Sequence, residues 1–262
     1  MSATLKNKVA LVTGGASGIG EAACLALSAA GAAVAVIDLH ADAATAVAER
    51  IQSQGGQALA TVANVADEQQ VHAAIAQTVE TFGALHVVCA NAGINGMQCP
   101  IEEMTLEEWH ATLNTNLTGT FLTVKHSVPH LRSAGGGSIV VTSSINGSRT
   151  FGLPGYSCYS TSKAGQVAFT KMAAIELARW GIRVNAILPG GVRTNIGERT
   201  YRRNLQPITY DVRLPEQWPP LHGRPAIPEE IARLIVFLAS DDSSYVTGAE
   251  IVIDAAASLL RG

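Results

Sequence analysis

The chain has 262 residues, 47% hydrophobic and only 15% charged, with 21 acids against 18 lysines and arginines for a net charge of −3. That length suits one large domain or two small ones with a sizeable core, and the balance gives no electrostatic case for nucleic acid or an acidic membrane. No apolar run reaches transmembrane length, and residues 1–6 do not form a secretory leader. Cys24, Cys89, Cys99 and Cys158 have no Cys-x-x-Cys spacing, so free thiols in a cytoplasmic protein are expected.

Residues 8–13 (Lys-Val-Ala-Leu-Val-Thr) form an apolar run that stops at glycines, the pattern of a buried strand. Gly14-Gly15-Ala16-Ser17-Gly18-Ile19-Gly20 follows, and residues 21–30 have helical composition. Strand, glycine turn and helix are the context of a nucleotide phosphate site: small residues admit the pyrophosphate, and the helix N-terminus offers unpaired N–H groups. The loop lacks a Lys-Ser/Thr ending, which argues against a nucleoside-triphosphate site. Residues 33–38 make a second strand ending on Asp38, about twenty residues past the loop, where a carboxylate reaches the adenosine ribose hydroxyls.

The alternation continues with a helix over 41–54, a strand over 58–62, a helix over 68–81 and a strand over 85–90 that ends at Asn91-Ala92-Gly93. Such a repeat argues a parallel, doubly wound α/β sheet. Ligands sit at the carboxyl ends of its strands, and Asp38, Asn64, Asn91 and Ser144 all fall at that edge.

Ser144 closes the apolar run 138–143. Beyond it a helix is expected over 159–180, placing Tyr159 and Lys163 one turn apart on one face. An ammonium beside a phenol favours the phenolate, so the Tyr159 pKa is expected below its ordinary value near ~10. A tyrosine so tuned trades a proton with an alcohol or carbonyl oxygen, and the Ser144 hydroxyl is placed to hold the same oxygen. Ser143 and Ser148 are alternatives to Ser144. Tyr156 competes with Tyr159, although Ser160, not a lysine, stands four residues after it. His126 and His130 have metal-ligand spacing but lack the third ligand a zinc site needs, so no metal is expected. Cys158 neighbours Tyr159 along the helix and so points elsewhere, as an inert thiol.

Taken together, Thr13-Gly14-x-x-x-Gly18-x-Gly20, Asn91-Ala92-Gly93, Ser144, Tyr159-x-x-x-Lys163 and Pro189-Gly190 resemble the short-chain dehydrogenase/reductase family over 8–254. The resemblance implies a single Rossmann-type domain over 1–262, a homotetramer or homodimer, and hydride transfer between NAD and a secondary alcohol or its carbonyl. It implies Tyr159 as general acid/base, Lys163 as its partner and ribose ligand, Ser144 as the group orienting substrate, and Asn116 as the residue holding a water that links Lys163 to solvent. The NAD site it implies comprises Gly14, Ser17, Gly18, Ile19, Gly20, Asp38, Leu39, Asn64, Val65, Asn91, Ala92, Gly93, Tyr159, Lys163, Pro189, Gly190, Val192 and Thr194. Of these, the Val192 backbone and the Thr194 hydroxyl take the nicotinamide carboxamide.

Three departures from the family pattern stand out: Asn64-Val65 in place of Asp-Val, a longer stretch from Ser144 to Tyr159, and Asp254-Ala255-Ala256 in place of Asp-Gly-Gly. A nucleotide-sugar epimerase or dehydratase and a non-catalytic dinucleotide sensor remain as alternatives. Further strands are expected over 184–188 and 250–254, with a capped helix over 228–240. Between them, 195–224 carries five arginines against three acids, with Tyr201, Tyr210, Trp218 and a proline cluster. A long connection at the ligand edge is expected to be a mobile lid over the substrate.

Overall fold

A computed structural model describes residues 4–150, 153–210 and 218–260. Seven parallel strands make one sheet in the order β3-β2-β1-β4-β6-β7-β9, where β1 is Val9–Thr13, β2 Ala33–Asp38, β3 Ala58–Val62, β4 Val87–Ala90, β6 Gly137–Thr142, β7 Ile182–Pro189 and β9 Glu250–Ile253. β1 is buried along its whole length. Successive side chains go to opposite faces: Ala10 and Val12 pack with Leu27, Ile51, Ile231 and Leu238, while Val9 and Leu11 pack with Ile75, Leu122, Leu131 and Leu177. Both faces are covered, so the strands read as unbroken apolar runs and not as alternating ones. That is why the sequence exposes them.

The helices are α1 Gly18–Ala29, α2 Ala41–Ser53, α3 Glu68–Phe82, α4 Leu106–Leu113, α5 Gly119–Ser133, α6 Ser157–Leu177 and α7 Pro228–Ala239. Their ends follow local chemistry. The Asp67 carboxylate accepts from the Gln70 N–H at the start of α3, and Gly83 in the left-handed region (φ 81°) ends that helix. Thr105 and Glu108 form a reciprocal capping box on α4. None of the described helices is long and apolar enough to cross a membrane.

The strand order reverses between β1 and β4, so the crevice at their carboxyl ends is the ligand position of this architecture. Outside the main sheet, β5 (Gly96–Gln98) pairs in parallel with β8 (Thr200–Arg202). The segment 195–224 is therefore not a plain connection. It holds a short 3-10 turn at Asn195–Arg199, then β8, then a second turn at Gln206–Ile208, and 211–217 lie outside the described residues. Three-residue strands leave no periodicity to read, so the sequence does not reveal this ribbon.

The Asp254-Ala255-Ala256 departure has a conformational consequence. Ala255 (φ 53°) and Ala256 (φ 66°) both occupy the left-handed region, where a Cβ is disfavoured by roughly 1–2 kcal/mol. The Asp254 carboxylate holds them there, accepting from the N–H groups of Ala256 at 3.0 Å and Ser258 at 2.7 Å. Ala255→Gly and Ala256→Gly are each expected to stabilise the protein by about 0.5–1 kcal/mol once the extra entropy of the unfolded glycine is deducted. Urea unfolding with a lower midpoint for the double variant would contradict this.

Candidate active site

Tyr159 and Lys163 lie in the first two turns of α6, only 8% and 4% exposed. The Lys163 Nζ sits 5.6 Å from the Tyr159 ring centroid and donates to the Thr142 carbonyl, at the end of β6, at 2.9 Å. Two residues beyond Thr142, Ser144 caps a 3-10 turn at Ile145–Gly147, its Oγ accepting from the Asn146 N–H at 3.2 Å. A Cβ on Gly147 would come within 2.7 Å of the Lys163 backbone carbon, so glycine lets the turn lie directly on α6. That contact keeps Ser144 beside Tyr159 despite the longer stretch between them.

The Ser144 side chain neighbours the Tyr159 hydroxyl and pulls its pKa down. Ser143 instead donates to the Lys163 carbonyl at 2.9 Å, and Ser148 lies at the far end of the turn. Of the three serines, Ser144 is the one beside the Tyr159 hydroxyl. Tyr156 packs edge-on against Tyr159, ring centroids 5.6 Å apart. Cys158 is buried, points to the Trp109 carbonyl and has its thiol pushed up by burial.

The electrostatics correct one expectation. Burial pushes the Tyr159 phenol up to about 12, and the Ser144 side chain only partly opposes it. Burial also pulls Lys163 down to about 7. The lowered phenol expected from Tyr-x-x-x-Lys rests on a charged lysine beside the ring. Desolvation of both groups outweighs that attraction.

Asn116 is fully buried in a π-helical turn, Asn114–Thr118, between α4 and α5. Its Oδ1 accepts from the Ile94 N–H at 2.8 Å, and its Nδ2 donates to the Ile94 carbonyl and the Ser162 hydroxyl, both at 2.9 Å. The bulge diverts its carbonyl, which accepts from Thr120 Oγ1 at 2.7 Å and Gln166 Nε2 at 2.8 Å. A Cβ on Gly93 would stand 3.2 Å from Asn116 Oδ1 and 3.4 Å from Lys163 Nζ, so these two polar groups border one small space. Ser162, Thr120 and Gln166 were not anticipated. The available signal was their polarity within an otherwise small and apolar helix pair.

At the glycine loop, a Cβ on Gly14 would lie 2.8 Å from the Ala92 Cα, and one on Gly20 would overlap the Gly14 carbonyl. Asn91 Nδ2 donates to the Thr13 and Gly14 carbonyls at 3.1 and 3.2 Å, fixing the loop to β4. The Ser17 side chain does not cap α1, so the first-turn N–H groups of Gly18, Ile19 and Gly20 face the crevice with the positive end of the helix dipole. This donor set fits a pyrophosphate. Asp38 ends β2 with its carboxylate accepting from the N–H groups of Ala16 and His40, each at 3.1 Å, and Leu39 beside it is exposed. Asn64 is exposed, its side chain accepting from the Ala66 N–H, and Val65 packs against Gly119.

Pro189 ends β7, and Gly190 passes so close to Asp254 that a Cβ would come within 2.8 Å of that residue's own Cβ. Val192 forms an isolated parallel bridge with Ala226 in which Arg193 N–H donates to Ala226 and Ala226 N–H to Gly191. Val192's own N–H and C=O therefore point away from the bridge. The Thr194 methyl abuts Gly18, since a Cβ there would be 2.9 Å away. The structure thus gathers the glycine loop, Gly93, Thr194 and the Ser144–Tyr159–Lys163 group along one crevice.

A family model described as Enoyl-(Acyl carrier protein) reductase matches residues 14–257. The chain is similar to the cyclohexanol dehydrogenase of Acinetobacter sp. (strain SE19), 40% identical over 259 residues, covering 98% of this chain and 97% of that one. It is similar to the cis-4-hydroxycyclohexanecarboxylate dehydrogenase of Sinomonas cyclohexanicum, 39% identical over 254 residues, covering 97% and 98% of the two chains. Among solved structures it matches a 3-ketoacyl-ACP reductase from Sinorhizobium meliloti 1021 with a TM-score of 0.92 and 43% identity, covering 97% of this chain and 100% of that one.

Proposed function

Because this chain belongs to the short-chain dehydrogenase/reductase family and so is an oxidoreductase of secondary alcohols that uses a nicotinamide cofactor, we propose that it interconverts a ring-borne secondary alcohol and its ketone with NAD. The observation that carries the chemistry is the buried Tyr159 hydroxyl beside Ser144, with Lys163 against its ring and Asn116 bonded to Ser162 on the same helix. The Asp38 carboxylate supports NAD, and the names of the two relatives support a ring-borne hydroxyl. The buried free thiols fit a reducing cytoplasm. The sensor and epimerase alternatives are not favoured, since relatives covering nearly the whole chain are named as dehydrogenases.

The nicotinamide, when bound, gives or takes the hydride at the substrate carbon. Everything else falls to the side chains. In reduction, Tyr159 with a pKa of about 12 is a neutral phenol at physiological pH and donates its proton to the carbonyl oxygen, which also accepts from Ser144. In oxidation the phenolate must take the alcohol proton, and that form is scarce at neutral pH. The scarce form grows as pH rises toward the raised pKa. Alcohol oxidation should therefore climb by up to about tenfold per pH unit above neutrality, with ketone reduction nearly level. The test is NAD reduction across a panel of cyclic secondary alcohols from pH 6 to 10. Oxidation that is flat or falling over that range would overturn the assignment, and activity on none of the panel would overturn the substrate class.

We also propose a homotetramer. On α5 and α6, Phe121, Met172 and Ile175 are exposed, and Phe121 stacks edge-on with Phe169 at 6.1 Å between centroids. A contiguous apolar face on two neighbouring helices suits a second copy of the chain. Light scattering at micromolar concentration should give four chain masses, and monomer alone would exclude it.

A further inference from the structure

The arginines of 195–224 find a use in the second sheet. Thr200 opens β8 opposite Gly96, with its hydroxyl accepting from Asn95 Nδ2 at 2.8 Å. The Arg203 N–H donates to the Gln98 carbonyl at 2.9 Å. The Arg203 guanidinium then reaches α4, where Nη1 meets Glu108 Oε1 at 2.8 Å, Nη2 meets Glu108 Oε2 at 3.0 Å, and Nη2 also donates to the Glu103 carbonyl. Asn204 Nδ2 adds a bond to Glu103 Oε2 at 2.9 Å. Leu205 lies against Gly155, four residues before Tyr159, and a side chain at that glycine would collide with it.

These contacts tie 200–205 on one side to β5, which follows Ile94 and through it Asn116, and on the other to the loop that leads into Tyr159. The stretch before β8 begins at Thr194, against the glycine loop. Residues 200–205 thus form a wall held between β5 and the loop that leads into Tyr159. A bidentate arginine–carboxylate pair is the geometry that gives such a wall one position.

We infer that Arg203, through Glu108 and Glu103, is a positioning residue for substrate, holding the wall that sets where the alcohol carbon lies relative to the Tyr159 hydroxyl. The inference rests on the secondary-alcohol reading of the site. Arg203→Met should raise KM for alcohol and ketone by about tenfold or more, with kcat within about threefold and the dissociation constant for NADH within about twofold. Arg203→Lys, which keeps the charge but loses the fork, should fall between. Glu108→Gln retains an oxygen for the Thr105 cap and should reproduce the KM effect of Arg203→Met, and the double variant should be no worse than either single one.

A lowered melting temperature with KM unchanged in both Arg203→Met and Arg203→Lys would leave the pair a merely structural clamp and overturn the inference. A KM change matched by weaker NADH binding would overturn it too. Tyr159→Phe, assayed alongside, separates the two failures: an active Tyr159→Phe enzyme defeats the reading of the site, whereas an inactive one with Arg203 variants of normal KM defeats only the positioning role.

Discussion

Tyr159→Phe should lower the rate of hydride transfer by about 10³-fold or more while the affinity for NADH stays within about twofold. The substitution removes one oxygen from a ring that is almost wholly buried. The packing of that ring, including the edge-on contact with Tyr156, survives. Ser144 keeps its bond from the Asn146 N–H, so the turn that presents it should not move. What is lost is the transferable proton. Lys163→Ala, by contrast, should damage both turnover and cofactor binding, and it also removes the bond to the Thr142 carbonyl. Single-turnover measurement of NAD reduction, with NADH binding followed by fluorescence, distinguishes the two. A Tyr159→Phe enzyme at near wild-type rate would show that the proton leaves by another group.

The unmodified protein should prefer NAD over NADP by at least about 100-fold in kcat/KM. Asp38 ends β2 with both carboxylate oxygens already oriented by the N–H groups of Ala16 and His40. A phosphate on the neighbouring ribose hydroxyl would bring a second anion to contact distance. At an effective dielectric near 20 that repulsion is about 4 kcal/mol at 4 Å, and solvent access to the half-buried carboxylate reduces it. A net of about 2.7 kcal/mol corresponds to the stated 100-fold. Ser17 and Leu39 supply no cation at the phosphate position. Replacing Asp38 with Ala and Leu39 with Arg should move the preference toward NADP. Equal kcat/KM with the two cofactors in the unmodified chain would remove Asp38 from the selectivity role.

The parallel sheet and its ligand edge were legible because burial on both faces writes each strand as a short apolar run, and because Asp38, Asn91 and Ser144 sit where such runs stop. Tyr159 and Lys163 were legible from helical spacing. The direction of the Tyr159 pKa was not, since it depends on how completely α6 is covered, and periodicity says nothing about depth. The π-helical turn at Asn116 was hidden for a similar reason. Its cause is a pair of side-chain donors, Thr120 and Gln166, one of them arriving from another helix. Arg203 was visible only as one of several arginines, because its carboxylate partners lie far back in the chain, on and just before α4.

The small β5–β8 ribbon belongs to a different sheet from the seven strands that carry the dinucleotide crevice. Among the described residues its two strands pair only with each other, and Arg203, just after β8, is anchored by Glu103 and Glu108 on the α4 side. Mutation can therefore rewrite the ribbon without disturbing a single rung of the main ladder. Inheritance of a new substrate would proceed by exchanging two short stretches, 95–108 and 200–205, as a matched pair. Transplanting either stretch alone would strand an arginine or a carboxylate without its counterpart, so the two stretches should work only when exchanged together.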